Sequence, residues 1–242
     1  MTQRILTALA VLAVTAVAAQ AMVVVEHQGA TNPTAQGWTA CGEASCSETL
    51  ASPLTPDAGF GVDAWSINDD NDFELTYGYV LSASETAVAQ SQGWRVDTTV
   101  RIPTLSKGLD SVGGHYQFRF APDKRYFLRW STDAAGVPTA YVLGDGQPSF
   151  ELASAGYHDY SLRYDPNTDT ADLFIDGVER ISGVAPNIDP GTIQLTWGSG
   201  ASSGHDPAQA NFNALSLFIV PEPASLALLG LGGLVALGRR RR

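Results

Sequence analysis

Two alternating segments carry the side chains best suited to holding a ligand. In His115-Tyr116-Gln117-Phe118-Arg119-Phe120 a period of two sets Tyr116, Phe118 and Phe120 on one face and His115, Gln117 and Arg119 on the other. From Arg125 to Trp130 the same period opposes Tyr126, Leu128 and Trp130 to Arg125, Phe127 and Arg129. If the large apolar residues of both segments share one core, the loop through Pro122 and Asp123 must hold an odd number of residues, three or five. His115, Gln117, Arg119, Phe127 and Arg129 then share the outer face. Planar donors beside an aromatic ring suit a sugar or a carboxylate-bearing polysaccharide. The competing reading is a cross-strand ladder whose arginines neutralise neighbouring Asp and Glu. Trp197 and Tyr141 are candidates for added stacking surface, although a sandwich Trp more commonly belongs to the core.

Asn68-Asp69-Asp70-Asn71-Asp72 is the densest run of oxygen ligands. Calcium takes about six to eight oxygens at ~2.3–2.6 Å from a turning loop. Asp69, Asp70 and Asp72 are therefore candidate calcium ligands, and calcium is the one candidate cofactor. The run lacks the Gly and Glu of an EF-hand loop, and a solvated Asx turn explains the same residues. Cys41 and Cys46, the 2 cysteines of the chain, lie in Cys-Gly-Glu-Ala-Ser-Cys. In an exported protein they are expected to form a short-loop disulfide, since two thiolates without a nearby His cannot close a tetrahedral zinc site. No His-Glu-x-x-His or phosphate loop is present.

The elements that must position these residues are strands. Period-two segments run over 73–81, 94–102, 115–120, 126–130, 139–143, 157–164, 171–175, 178–181, 192–197 and 211–220, punctuated by Gly, Pro, Asp and Asn. Asp176-Gly177 predicts a type I′ hairpin turn. Ser84 to Gln92 predicts the single helix. About ten strands in one body mean a two-sheet antiparallel β-sandwich or a closed barrel.

The 242-residue chain has net charge -11, but its hydrophobic residues are concentrated at the ends. Met1 to Arg4, the apolar Ile5 to Ala19, and Ala19-Gln20-Ala21 have the order of a secretory signal, with signal peptidase cutting after Ala21. Ala224 to Leu237 is a second apolar run, expected to be a membrane helix, and Arg239, Arg240, Arg241 and Arg242 close the chain. Fourteen residues span roughly 21 Å, short of the ~30 Å hydrocarbon core, so the anchor is marginal. The arginines hold that end in the cytoplasm and place the body on the far side. Residues 22–219 keep 9 Lys and Arg against 24 Asp and Glu, a net charge of -15. That charge excludes nucleic acid and an anionic membrane surface as partners of the folded body. Four of the nine basic residues nonetheless lie between Arg119 and Arg129.

Two resemblances follow from these residues. Pro221-Glu222-Pro223, the apolar run and the arginine tail together resemble the PEP-CTERM sorting signal of Gram-negative bacteria. That resemblance implies Sec export, transient retention in the inner membrane, exosortase recognition of Pro221, Glu222 and Pro223, and release to the cell surface or biofilm matrix. Tyr157 to Asp165, followed by Ala171 to Gly177, resembles a recurring hairpin of the concanavalin A-like (laminin G-like) jelly-roll superfamily. Glucanases of that superfamily carry Glu-x-Asp-x-(x)-Glu on one strand, whereas the nearest string here, Asp70 to Glu74, has Asp in the first position.

The expected organisation is a helical signal peptide at 1–21, an extension at 22–59 with the cysteine loop, a jelly-roll sandwich at 60–219 and a sorting signal at 220–242. The expected function is non-catalytic binding of carbohydrate or another surface component. A glycan-active hydrolase or lyase is the alternative, and a purely structural surface protein the second.

Overall fold

The structure is a computed structural model that describes residues 21–40, 47–68, 75–103, 114–132, 135–143, 146–199 and 209–219. Asp69, Asp70 and Asp72, Cys41 and Cys46, both apolar ends and the sorting residues lie outside the described residues. Among the described residues no helix is long and apolar enough to cross a membrane.

The body is a β-sandwich of two antiparallel sheets, not a closed barrel. Sheet A runs β13 (Val178–Val184), β12 (Thr170–Ile175), β11 (His158–Asp165), β6 (Trp94–Arg101), β16 (Gln209–Ile219), β4 (Val62–Asn68) and β3 (Ala51–Asp57), with β1 (Met22–Gln28) beside the second half of β16. Sheet B runs β10 (Ser149–Glu151), β9 (Pro138–Leu143), β8 (Lys124–Thr132), β7 (Gly114–Ala121), β15 (Gln194–Gly198), β5 (Thr76–Val80) and β2 (Thr39–Ala40), with β14 (Asn187–Ile188) beside the start of β8. Consecutive antiparallel neighbours explain the short turns. Between β12 and β13, Asp176 and Gly177 both take positive φ, 51° and 76°, as a type I′ turn requires.

The alternation buries one side of each sheet. Tyr116, Phe118, Tyr126, Leu128 and Trp130 of sheet B are 0% exposed, and Val96, Leu162, Leu215 and Leu217 of sheet A are equally so. Trp94 ties the layers together, with its ring centroid 4.8 Å from Phe118 and 5.5 Å from the stacked Tyr164. Burying a large apolar side chain is worth about 1.5–3 kcal/mol. The alternation is therefore what fixes which face of each strand points inward.

Two expectations are corrected. The segment 22–59 does not stand ahead of the sandwich: β1 pairs with β16, and β3 pairs with β4. β3 carries Pro53 and Pro56, which disguise it as a loop, and it is tolerated because it lies at the sheet edge. The β7–β8 connection is a two-residue turn, Pro122-Asp123, with a register shift between Arg119 and Ala121. That bulge supplies the extra residue, so the parity holds although the turn is shorter than three. The predicted helix is α1 (Ala83–Gln92), entered through a capping box in which Ser82 accepts from the Glu85 amide and Glu85 accepts from the Ser82 amide.

Candidate ligand-binding face

The outer side of sheet B brings the expected residues together. Across the strands, Gly78, Thr196, Gln117, Phe127 and Leu143 form one row, and Gly198, His115, Arg129 and Tyr141 the next. Phe127 is half-buried at the centre. His115 meets its ring edge-on, with centroids 4.8 Å apart at 78°. Two guanidinium groups lie over the same ring: Arg129 at 5.2 Å and Arg125 at 5.7 Å from its centroid. Arg125 also donates to Gln117 Oε1 at 2.8 Å. Towards β15 and β5 the row falls to Thr196 and Gly78, so the ring stands at the side of a shallow floor.

Arg119 is on this face but is not available to a ligand. It is 8% exposed, pairs with the Asp189 carboxylate, and donates through Nε to the Asp189 carbonyl at 3.0 Å. Arg125 joins the same carboxylate at 2.8 Å. The segment after β14 holds Asp189 there, because the Asp189 amide donates to Asp123 O at 2.9 Å and the Gly191 amide to Pro122 O at 3.1 Å. Gly191 rests on the guanidinium itself, where an added Cβ would come within 2.7 Å of Arg119 Cζ. At this end of the face, neutralisation by a neighbouring carboxylate is the arrangement found. The sequence pattern missed Asp189 because the contact spans 70 residues; Asp189-Pro190-Gly191 signalled only a turn.

His115 is 7% exposed, and burial, reinforced by Arg129 and Arg125, drives its pKa down to about 3. It is therefore a neutral packing group at ordinary pH, not a cation. Tyr141 does sit beside Arg129 on the face, and its Oη accepts from Ser131 Oγ at 3.3 Å. Trp197 does not: it is 0% exposed in the core, edge-on to Trp38 at 5.6 Å.

His158 forms a pair with Asp176, Nδ1 to Oδ2 at 2.8 Å, but its Nε2 is held by the Ser154 carbonyl at 2.9 Å. Both ring nitrogens are occupied, so this pair has none left to activate a nucleophile. Among the described residues no group of three or more His, Cys, Asp and Glu could hold a metal ion.

Residues 220–242 match the PEP-CTERM protein-sorting motif. The motif implies export, membrane-anchored sorting and exosortase processing. No curated protein matches the chain by sequence. Among solved structures, the body is similar to the conserved carbohydrate esterase of the Shiga toxin-encoding bacteriophage phi24B, with TM-score 0.59, 10% identity and coverage of 83% of this chain and 100% of that one. It is similar to domain 4 of an extracellular arabinanase from Geobacillus stearothermophilus, in complex with arabinotriose, with TM-score 0.51, 12% identity and coverage of 83% and 94%. It is also similar to botulinum neurotoxin type C, whose cell entry depends on interaction with two ganglioside molecules, with TM-score 0.52, 7% identity, and coverage of 86% of this chain but 50% of that one. At these identities the likeness establishes the fold alone, a jelly-roll β-sandwich.

Proposed function

We propose that the chain is an exported, non-catalytic module that binds a neutral polysaccharide on the outer face of sheet B, centred on Phe127. The observation that carries this reading is the Phe127 ring on the outer side of a sheet, with His115 edge-on and two guanidinium groups over it. An apolar ring supports the C–H face of a sugar, while Gln117 and Arg129 offer planar groups to its hydroxyls. Asp189 already neutralises Arg119 and Arg125, so an anionic chain gains little there. Similarity to a domain in complex with arabinotriose adds to this reading.

Glycoside hydrolysis needs two carboxyl groups, one of them kept protonated by a raised pKa. Among the described residues the displaced carboxyl groups, Asp57, Glu85 and Asp169, are all displaced downward. In this reading the tail tethers the body to the inner membrane of a Gram-negative cell until an exosortase cuts at Pro221-Glu222-Pro223, and the body then joins the surface matrix.

A glycan array probed with the purified full chain, in calcium and in EDTA, tests the proposal. The expected result is a set of neutral glycans that retain the wild type and are lost to Phe127→Ala, whatever other glycans the variant still holds. Release of reducing ends would overturn the non-catalytic reading. Loss of binding in EDTA alone would bring calcium at Asp69, Asp70 and Asp72 into the function.

A further inference from the structure

Sheet A presents a second trough that the sequence patterns did not single out. Its outer face falls to short side chains along two rows: Ser216, Asp97 and Ser161 in one, Ala214, Thr99 and Asp159 in the other. Two aromatic rims bound it. Phe218 carries the Arg95 guanidinium 4.3 Å from its centroid, and Phe174 carries that of Arg163 at 4.0 Å. This part encloses about 380 Å³. Ala214 also lines a second hollow of about 720 Å³, together with Gln28, Gln36, Asp63 and Asn213. This shared residue lies beside a bulge: β16 shifts register on β6 between Phe212 and Ala214, and the extra residue, Asn213, donates from its side chain to Asp63 O at 2.8 Å. Bulges are over-represented where a sheet re-aims a side chain beside a functional surface.

The chemistry of the lining selects an occupant. Asp63, Asp97 and Asp159 outnumber Arg95 and Arg163, and Arg95 is itself paired with Asp97 at 2.8 Å. Together with a body charge of -15 this repels a polyanion. Hydroxyls, carboxamides and carboxylates on the floor hydrogen-bond to hydroxyl groups, and the phenyl rims pack against C–H faces. The hollows extend from β12 across β11 and β6 to β16 and on to the end of β1. At ~4.8 Å per strand the β12-to-β16 part alone is about 14 Å wide, which suits a chain of linked sugars better than a single ring.

We infer that this trough is a second polysaccharide site, taking a neutral glycan chain on the sheet opposite the Phe127 face. The two faces point away from each other across the sandwich, so one body engages two chains and cross-links them. The inference does not depend on the Phe127 site, and its test separates the two.

The experiment is isothermal titration of the full chain with maltoheptaose, cellohexaose and laminarihexaose, with a galacturonate oligomer as the acidic control. Ala214→Trp and Ser161→Trp fill the trough at positions that are already partly exposed, and matching melting temperatures confirm that each variant folds. Phe174→Ala, which removes one rim, replaces either variant if that one does not fold. The expected result is a neutral oligosaccharide whose affinity falls about tenfold or more in the trough variants and is unchanged in Phe127→Ala. Loss in Phe127→Ala with full affinity in the trough variants overturns the trough and leaves the Phe127 face standing. Binding untouched by every variant overturns both sites, as does no binding of any neutral probe.

Discussion

Asp189 holds Arg119 through both its carboxylate and its carbonyl, the latter accepting from Nε at 3.0 Å, and so places an internal anion on the most basic part of the body. Arg125 shares that carboxylate at 2.8 Å. This relationship decides what kind of ligand the face of sheet B accepts.

Asp189→Asn removes the anion while keeping the shape. Two guanidinium groups then lose their charge partner, so affinity for polygalacturonate is expected to rise about tenfold at low salt and to fall steeply as salt screens the new field. The melting temperature is expected to drop, because Arg119 becomes a buried charge without a counter-ion. Unchanged affinity for polygalacturonate would show that Asp189 does not set the charge preference of the face.

Asp57 is the hub of a buried network on sheet A. It is 4% exposed, and it accepts from Arg101 Nε at 2.9 Å, from Tyr157 Oη at 2.8 Å and from Asn211 Nδ2 at 2.8 Å. Burial alone would raise its pKa, but the bonds from Asn211, Tyr157 and Arg101 outweigh burial and hold it below the usual carboxylate range. Asp57→Ala strands Arg101 and is expected to cost about 3–5 kcal/mol in denaturant unfolding. A loss below about 1 kcal/mol, the range of a surface pair, would mean that the network is solvated and not structural.

Stability is also expected to fall in acid for a reason located in two histidines. His27 is 0% exposed, its Nδ1 lies 2.7 Å from Gln36 Oε1, and burial, only partly opposed by hydrogen bonding, lowers its pKa to about 4. His115 is lowered to about 3 by burial and by Arg129 and Arg125. Both groups bind protons more weakly folded than unfolded. Their contribution is complete above the unfolded value near 6.5 and is lost as pH falls from there to about 4 for His27 and about 3 for His115. At roughly 1.4 kcal/mol per unit this amounts to a few kcal/mol each. Melting curves of His27→Phe should start lower at pH 7.5 but fall less between pH 6.5 and about 4 than those of the wild type. A parallel decline would remove His27 from the account.

The sorting motif predicts a processed product. Mass spectrometry of the surface-associated protein is expected to find Arg239 to Arg242 removed. Finding them still attached would mean that the motif anchors the chain permanently.

Much of the fold was legible where burial is one-sided. β6, β7, β8, β11 and β12 alternate because one face meets the core and the other does not, and parity alone placed His115, Gln117, Arg119, Phe127 and Arg129 on one surface. β4 escaped this test because Ala64, Trp65, Ser66 and Ile67 are all buried in succession, which leaves no period to read. β3 escaped because its prolines are tolerated only through its edge position, a tertiary fact. The role of Asp189 was illegible for a similar reason: nothing local in Asp189-Pro190-Gly191 tells which strand the turn will lie against. The trough of sheet A was hidden because its floor is defined by smallness, and Ala214, Ser216 and Ser161 show no chemical pattern until four strands bring them side by side.

The central claim is that Phe127 and its flanking donors form a glycan-binding surface. The most direct test is the affinity of the wild type and of Phe127→Ala for one neutral polysaccharide in gel electrophoresis, with Phe60→Ala as a control at an exposed aromatic away from this face. The expected result is retardation of the wild type and of Phe60→Ala, and about tenfold weaker retardation of Phe127→Ala. Equal mobility of all three in every neutral polysaccharide tested would contradict the account.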